Sequence, residues 1–342
     1  MKHIKQWIPT ALLFAAAILP SSCSIPAGAA ESNTTIGTIE RLDPRFDQLI
    51  ARDAVLEKLA EGFQWSEGPV WVPDAGYLLF SDIPRNSVMQ WQRGKGVSLF
   101  LKPAGYTGTT PRGGESGSNG LLLDREGRLV LCQHGDRRIA RLEADGRFTT
   151  LADRYQGKRF NSPNDAAFKS NADLYFTDPP YGLAENAVRE LDLCGVYRLS
   201  ADGKVTLLTK QMTRPNGIAF APDEKTLYVA QSDPKRAVWM AFAVNDDGTL
   251  GAARVFYDAT RWVGKKGLPG LPDGMKVDQA GNLFATGPGG VNVFAPDGTL
   301  LGRINSGQPT ANCCFAEDGS VLYLTANMFL CRIETNTKGL GF

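Results

Sequence analysis

Apolar and polar positions along this chain alternate in short runs broken by turn residues, and one such unit recurs six times. The units read EGPVWVPDAGYLLFSD from Glu67, NGLLLDREGRLVLCQ from Asn119, NDAAFKSNADLYFTD from Asn164, NGIAFAPDEKTLYVAQ from Asn216, DGMKVDQAGNLFATG from Asp273 and NCCFAEDGSVLYLTA from Asn312. Each opens on Asn, Asp or Glu, runs through a short apolar stretch, turns, and resumes with a strand. The first Leu of that strand stands ten or eleven residues after the opening residue in all six. The turns carry turn residues, as in Pro73-Asp74-Ala75-Gly76, Asp124-Arg125-Glu126-Gly127 and Asp278-Gln279-Ala280-Gly281. Successive units start 39 to 57 residues apart, the range of a four-stranded propeller blade. After Asn119, a third strand at 138–142 and a fourth at 147–151 complete such a blade. Helical periodicity is almost absent, which excludes βαβ folds. The pattern predicts an all-β fold, a six-bladed β-propeller with a short N-terminal helical extension. Residues 31–342 form its single domain. Within them, 31–60 hold a helix near Ala51–Leu56 and then a strand that closes the ring against the last blade.

In a propeller the innermost strand of each blade runs along the central channel, so its opening residue faces the axis. Glu67, Asn119, Asn164, Asn216, Asp273 and Asn312 therefore form a ring. A single Asn before a strand is ordinarily an Asx-turn; six aligned Asn, Asp or Glu positions describe a site. Two carboxylates in one ring repel unless a proton or cation lies between them. Oxygen-only donors suit a hard divalent cation, Ca²⁺ first, with Mg²⁺, Mn²⁺ or Zn²⁺ as substitutes. The second strands return the chain to the same rim, ending at Asp82, Gln133-His134, Asp178 and Gln231. The loops 105–118, 154–163 and 261–271 open there too. They bring Tyr106, Arg112, Arg159 and Trp262, and Tyr181 stands nearby. Such a mouth suits a polar, oxygen-rich small molecule. The Gly-rich 105–118 stretch lacks G-K-[ST] and a following helix, so it is not a phosphate loop.

Composition adds boundaries. The first thirty residues carry Lys2 and Lys5, an apolar run from Ala11 to Leu19, and small residues at Ala27-Gly28-Ala29-Ala30. This is the layout of a signal peptide at 1–30, which implies a periplasmic or secreted protein with no membrane contact after cleavage. Lipoprotein processing at Cys23 is disfavoured by Pro20, where a lipobox normally has Leu. The formal charge is +1, and removing the two lysines makes it −1; a balanced chain with no basic run excludes nucleic acid as a partner. Five cysteines remain, Cys132, Cys194, Cys313, Cys314 and Cys331. Their odd number and irregular spacing are not a disulfide framework. One bridge from Cys331 to Cys313 or Cys314 and a set of buried thiols are both compatible with them.

At these residues the chain resembles the SMP-30/gluconolactonase/luciferin-regenerating-enzyme-like family, in its exported bacterial gluconolactonase branch. The motifs that carry the resemblance are Ser66-Glu67-Gly68-Pro69-Val70-Trp71, Asn161-Ser162-Pro163-Asn164-Asp165, Tyr175-Phe176-Thr177-Asp178-Pro179-Pro180-Tyr181-Gly182, Arg214-Pro215-Asn216-Gly217 and Pro272-Asp273-Gly274-Met275. The resemblance spans roughly residues 40–335. It implies a six-bladed propeller, one divalent cation and hydrolysis of aldonolactones such as glucono-1,5-lactone. It also implies Glu67, Asn216 and Asp273 as metal ligands, with Asn164 reaching metal or substrate. Some members place a substrate-contacting Arg two residues before the equivalent of Asn164, where this chain has Ser162; Arg159 and Arg112 are the nearby candidates.

Lactone hydrolysis needs a polarised carbonyl, an activated water and a proton for the ring oxygen. Asp273 is the expected general base, and Asn119, Asn164 and Tyr181 are expected substrate contacts. His134, the one histidine outside the leader, stands at the rim and either assists proton transfer or holds a loop. With no G-x-S-x-G elbow, a Ser-His-Asp hydrolase is not indicated. Another lactonase, esterase or phosphotriesterase on the same ring, or a non-enzymatic ligand-binding propeller, is the alternative.

Overall fold

The computed structural model of the protein describes residues 34–342; the leader at 1–30 and Cys23 lie outside the described residues. Six antiparallel sheets of four or five strands stand around one axis. The first four blades follow the chain, from Ser66–Val72 as the innermost strand of blade 1 to Leu250–Asp258 as the outermost of blade 4. Blade 2 uses Arg138–Leu142 and Phe148–Ala152 as its outer strands, as the sequence pattern predicts. Blade 6 is composite. Asn312–Ala316, Val321–Ala326 and Phe329–Glu334 come from the C-terminal side, and Leu56–Glu61 adds to them antiparallel. An Arg332–Glu57 pair at 2.6 Å reinforces this closure. The preceding strands Thr34–Ile36 and Thr38–Arg41 extend blades 6 and 5 as fifth strands, an addition the repeat does not foretell.

The core is spread over six apolar layers, one between each pair of neighbouring blades. Period-2 alternation feeds them: Leu78 and Phe80 pack toward blade 6, while Leu79 between them packs toward blade 2. Likewise Leu174 and Phe176 face blade 2, and Tyr175 faces blade 4. Strands covered on both faces need no polar side, and they read as continuous apolar runs.

One expectation is corrected, and one open question is answered. No helix forms near Ala51–Leu56; the only helical turn among the described residues of this extension is a 3₁₀ turn at Pro44–Gln48, capped by the Asp43 carboxylate accepting from Arg45 N at 2.9 Å. Six residues cannot offset the cost of nucleating a helix, and Leu56 and Leu59 find buried places in the blade 6 strand instead. Of the two arrangements open to the five cysteines, the structure has the buried thiols, all five of them free. Cys313 and Cys331 both pair with Leu324, on opposite sides of it. Two strand spacings, about 9.5 Å, therefore separate them, beyond the reach of a disulfide. Among the described residues no helix is long and apolar enough to cross a membrane.

Candidate active site

Neighbouring innermost strands touch backbone to backbone near the axis. Gly68, at φ +52°, lies so close to blade 2 that a Cβ would stand 2.0 Å from the Asn119 carbonyl oxygen. At Gly217 a Cβ would stand 2.1 Å from the Asp273 carbonyl oxygen. The glycine after four of the six opening residues, Gly68, Gly120, Gly217 and Gly274, is thus the condition for bringing the ring residues together, rather than a turn signal.

They converge on one cavity of about 390 Å³ at one end of the channel. Glu67, Asn119, Asn164, Asn216 and Asp273 line it. The sixth, Asn312, sits behind them, donating Nδ2 to Glu67 Oε2 at 3.1 Å. Glu67 Oε2 also accepts from the Gly68 amide. Asn216 donates Nδ2 to Ser232 Oγ at 3.0 Å. Asn119 Oδ1, Asn164 Oδ1 and Asp273 Oδ1 have no hydrogen-bond partner although they are buried. Buried oxygens without donors are costly, and several around one cavity fit a hard cation with an oxygen-rich ligand beside it. Among the described residues no cluster of three or more His, Cys, Asp or Glu is arranged as a metal site; amides make up the balance of this donor set.

The electrostatics agree with that fit. Burial pushes the Glu67 carboxyl above its ordinary range, and the nearby Asp165 charge pushes it further. Burial, then Glu67 and Asp165, do the same to Asp273. Asp165 is a third buried carboxylate, raised mainly by burial and opposed by Lys276. It escaped the sequence reading, although a signal exists: it fills the slot that holds Gly68, Gly120, Gly217 and Gly274 in other blades.

The walls differ from expectation. Trp65, Ile83, Leu271 and Pro309 give the lining its apolar members, and Glu115, Tyr181, Arg214, Ser232 and Thr310 join the ring as polar ones. Trp262 is not at the mouth; it is buried against Tyr257 with the Arg303 guanidinium 4.1 Å above its ring. Neither Arg112 nor Arg159 lines the cavity. Arg112 donates to the carbonyls of Glu115 and Gly182 at 2.9 and 2.8 Å, and Arg159 to the carbonyl of Asp136 at 3.0 Å. The cation in the lining is Arg214, from the Arg-Pro-Asn-Gly motif. Ser162 is buried, donating to the Pro179 carbonyl at 2.6 Å. His134 is fully buried; its Nδ1 lies 2.8 Å from Glu115 Oε2 and its Nε2 3.5 Å from Asn164 Nδ2. The second-strand ends Asp82 and Asp178 act as latches. Asp82 accepts from the Gln64 and Trp65 amides, and Asp178 from the Asn161 and Ser162 amides at 2.8 and 2.7 Å.

A profile described as the SMP-30/gluconolactonase/LRE-like region matches residues 65–328. A gluconolactonase from Zymomonas mobilis is 41% identical over 343 residues, 97% of this chain and 95% of its own length. A pentonolactonase from Haloferax volcanii is 28% identical, over 70% of this chain and 72% of its own. Among solved structures, a gluconolactonase from Xanthomonas campestris superposes with a TM-score of 0.78 at 35% identity, over 91% of this chain and 98% of that one. Regucalcin from Agrobacterium tumefaciens, a calcium-binding protein, shares the fold with a TM-score of 0.64 at 22% identity, over 81% of this chain and 92% of its own.

Proposed function

The chain belongs to the SMP-30/gluconolactonase/LRE-like family, and from that premise we propose that it hydrolyses a sugar lactone such as glucono-1,5-lactone to the aldonic acid, with one divalent cation. The observation that carries this reading is the group of buried, unpartnered oxygens of Asn119, Asn164 and Asp273 around one cavity. Glu67, Asn164, Asn216 and Asp273 would hold the cation, Ca²⁺ by the chemistry of its ligands; when bound, it polarises the lactone carbonyl and acidifies water. Asp273 takes up the water proton at Oδ1 as the water oxygen bonds to the carbonyl carbon. The ring C–O bond then breaks, and the proton passes to the departing oxygen, which leaves as the hydroxyl of the open-chain acid. Asn119 holds a substrate hydroxyl, with Tyr181 and Arg214 at the mouth. Trp65 offers an aromatic wall to the C–H side of the sugar ring.

The leader at 1–30 extends the proposal to an exported enzyme, which fractionation of expressing cells tests. The substrate is tested by a pH-stat panel of aldono-1,5- and 1,4-lactones, alkyl lactones and aryl phosphotriesters. Hydroxylated lactones should have the highest kcat/KM. Equal or better hydrolysis of a C8–C12 alkyl lactone would leave only a generic metal-dependent hydrolase.

A further inference from the structure

An Asn side chain has two ends of nearly equal shape and opposite polarity, so an Asn that must offer oxygen needs a neighbour to fix its flip. Asn216 has one: Ser232 Oγ donates to the Pro272 carbonyl and so receives the Asn216 Nδ2 hydrogen. Asn312 has Glu67. For Asn164 we propose that Arg112, Glu115 and His134 form a positioning chain that turns its oxygen to the axis. This rests on the cation-binding reading above.

The Glu115 carboxylate can only accept, so the hydrogen between Glu115 Oε2 and His134 Nδ1, 2.8 Å apart, sits on Nδ1. That leaves a lone pair on Nε2, which faces Asn164 Nδ2 at 3.5 Å. The amide hydrogen end is drawn to the imidazole, and Oδ1 is left in the cavity without another partner. The imidazole is held on its other sides as well. A Cβ on Gly182 would stand 2.5 Å from His134 Cβ, so the 182 turn packs directly on the histidine. Arg112 bonds the carbonyls of both Glu115 and Gly182, clamping the two segments that enclose the ring. The fully buried His134 touches no substrate; it acts through Asn164.

The test is calorimetric titration of Ca²⁺ into chelator-stripped protein. His134→Leu should raise Kd by about tenfold or more, the usual loss when a ligand's orienting partner is removed. His134→Gln, which can still accept from Asn164, should recover most of the affinity. Glu115→Gln, still an acceptor for Nδ1–H, should remain near wild type, whereas Glu115→Leu should not. In an Asn164→Asp background, where either end offers oxygen, His134→Leu should lose its effect. A His134→Leu protein that melts normally and binds Ca²⁺ as wild type does overturns the proposal. So does an equal loss in the Asn164→Asp background. If His134→Leu fails to fold, Glu115→Leu, on a part-exposed loop side chain, decides: an unchanged Kd overturns the proposal. Absence of any divalent-cation binding by the wild type would sink the cation-binding reading itself, a result distinct from these.

Discussion

Glu67 and Asp273 share a buried cavity with no cation in its lining but Arg214, and their roles separate by partner. Glu67 Oε2 is engaged by Gly68 and Asn312, whereas Asp273 Oδ1 is unengaged. Asp273→Asn should therefore lower turnover by about 10² to 10⁴, the usual contribution of a positioned base. Its metal-free melting temperature should not fall, because a neutral amide of the same shape replaces a carboxyl whose ionisation burial and Glu67 oppose. Glu67→Gln should mainly weaken Ca²⁺ affinity. Near-wild-type turnover of Asp273→Asn at saturating Ca²⁺ would show that the base lies elsewhere. Both carboxyls are raised in the folded state, so the metal-free fold retains protons that the unfolded chain releases. Its stability should fall as pH rises above the ordinary carboxylate range. Ca²⁺ binding should release protons, and the thermal shift it produces should grow with pH; a shift independent of pH between 5 and 8 would contradict the assignment. These two residues were legible in the sequence because the blade repeat places one position per blade at the axis. Arg214 and Glu115 were not singled out, because they precede the repeat's opening residues, where loops of unequal length keep no register.

At the scale of elements, the inner strands are fixed by how closely their backbones approach. A methyl at Gly217 would meet the Asp273 carbonyl oxygen at 2.1 Å, and neither backbone can yield without moving the Asp273 ligand. Gly217→Ala should destabilise by about 1–3 kcal/mol, the usual cost of overpacking, and weaken Ca²⁺ binding at the same time. Denaturant melts with and without Ca²⁺ check both effects; unchanged Ca²⁺ affinity would mean the strands are not coupled as described. The strands themselves were readable from period-2 runs and turn residues. The 3₁₀ turn at Pro44–Gln48 and the outer strand Thr38–Arg41 were not, because they are selected by the sheet edges they cover rather than by local pattern. Trp262 was misplaced for a related reason: an aromatic in a rim loop can point outward or fold back, and here a layer between blades 4 and 5 was available to receive it.

For the whole molecule, closure comes from the N-terminal strand Leu56–Glu61 completing blade 6, and the closed ring holds residues from six distant segments around one cavity. Such a site is preorganised, so filling it should stabilise the entire fold: Ca²⁺ at 100 times its Kd should add about 2.7 kcal/mol. Soft ions should gain nothing from the five cysteines, all of them buried. We propose that this ring binds a hard cation in order to open a sugar lactone. The most direct test is the rate of glucono-1,5-lactone hydrolysis, above the spontaneous rate, by chelator-stripped protein before and after Ca²⁺ is restored. Catalysis should disappear on stripping and return in proportion to the sites filled; full catalysis by protein proven free of divalent metal would contradict the cation's role.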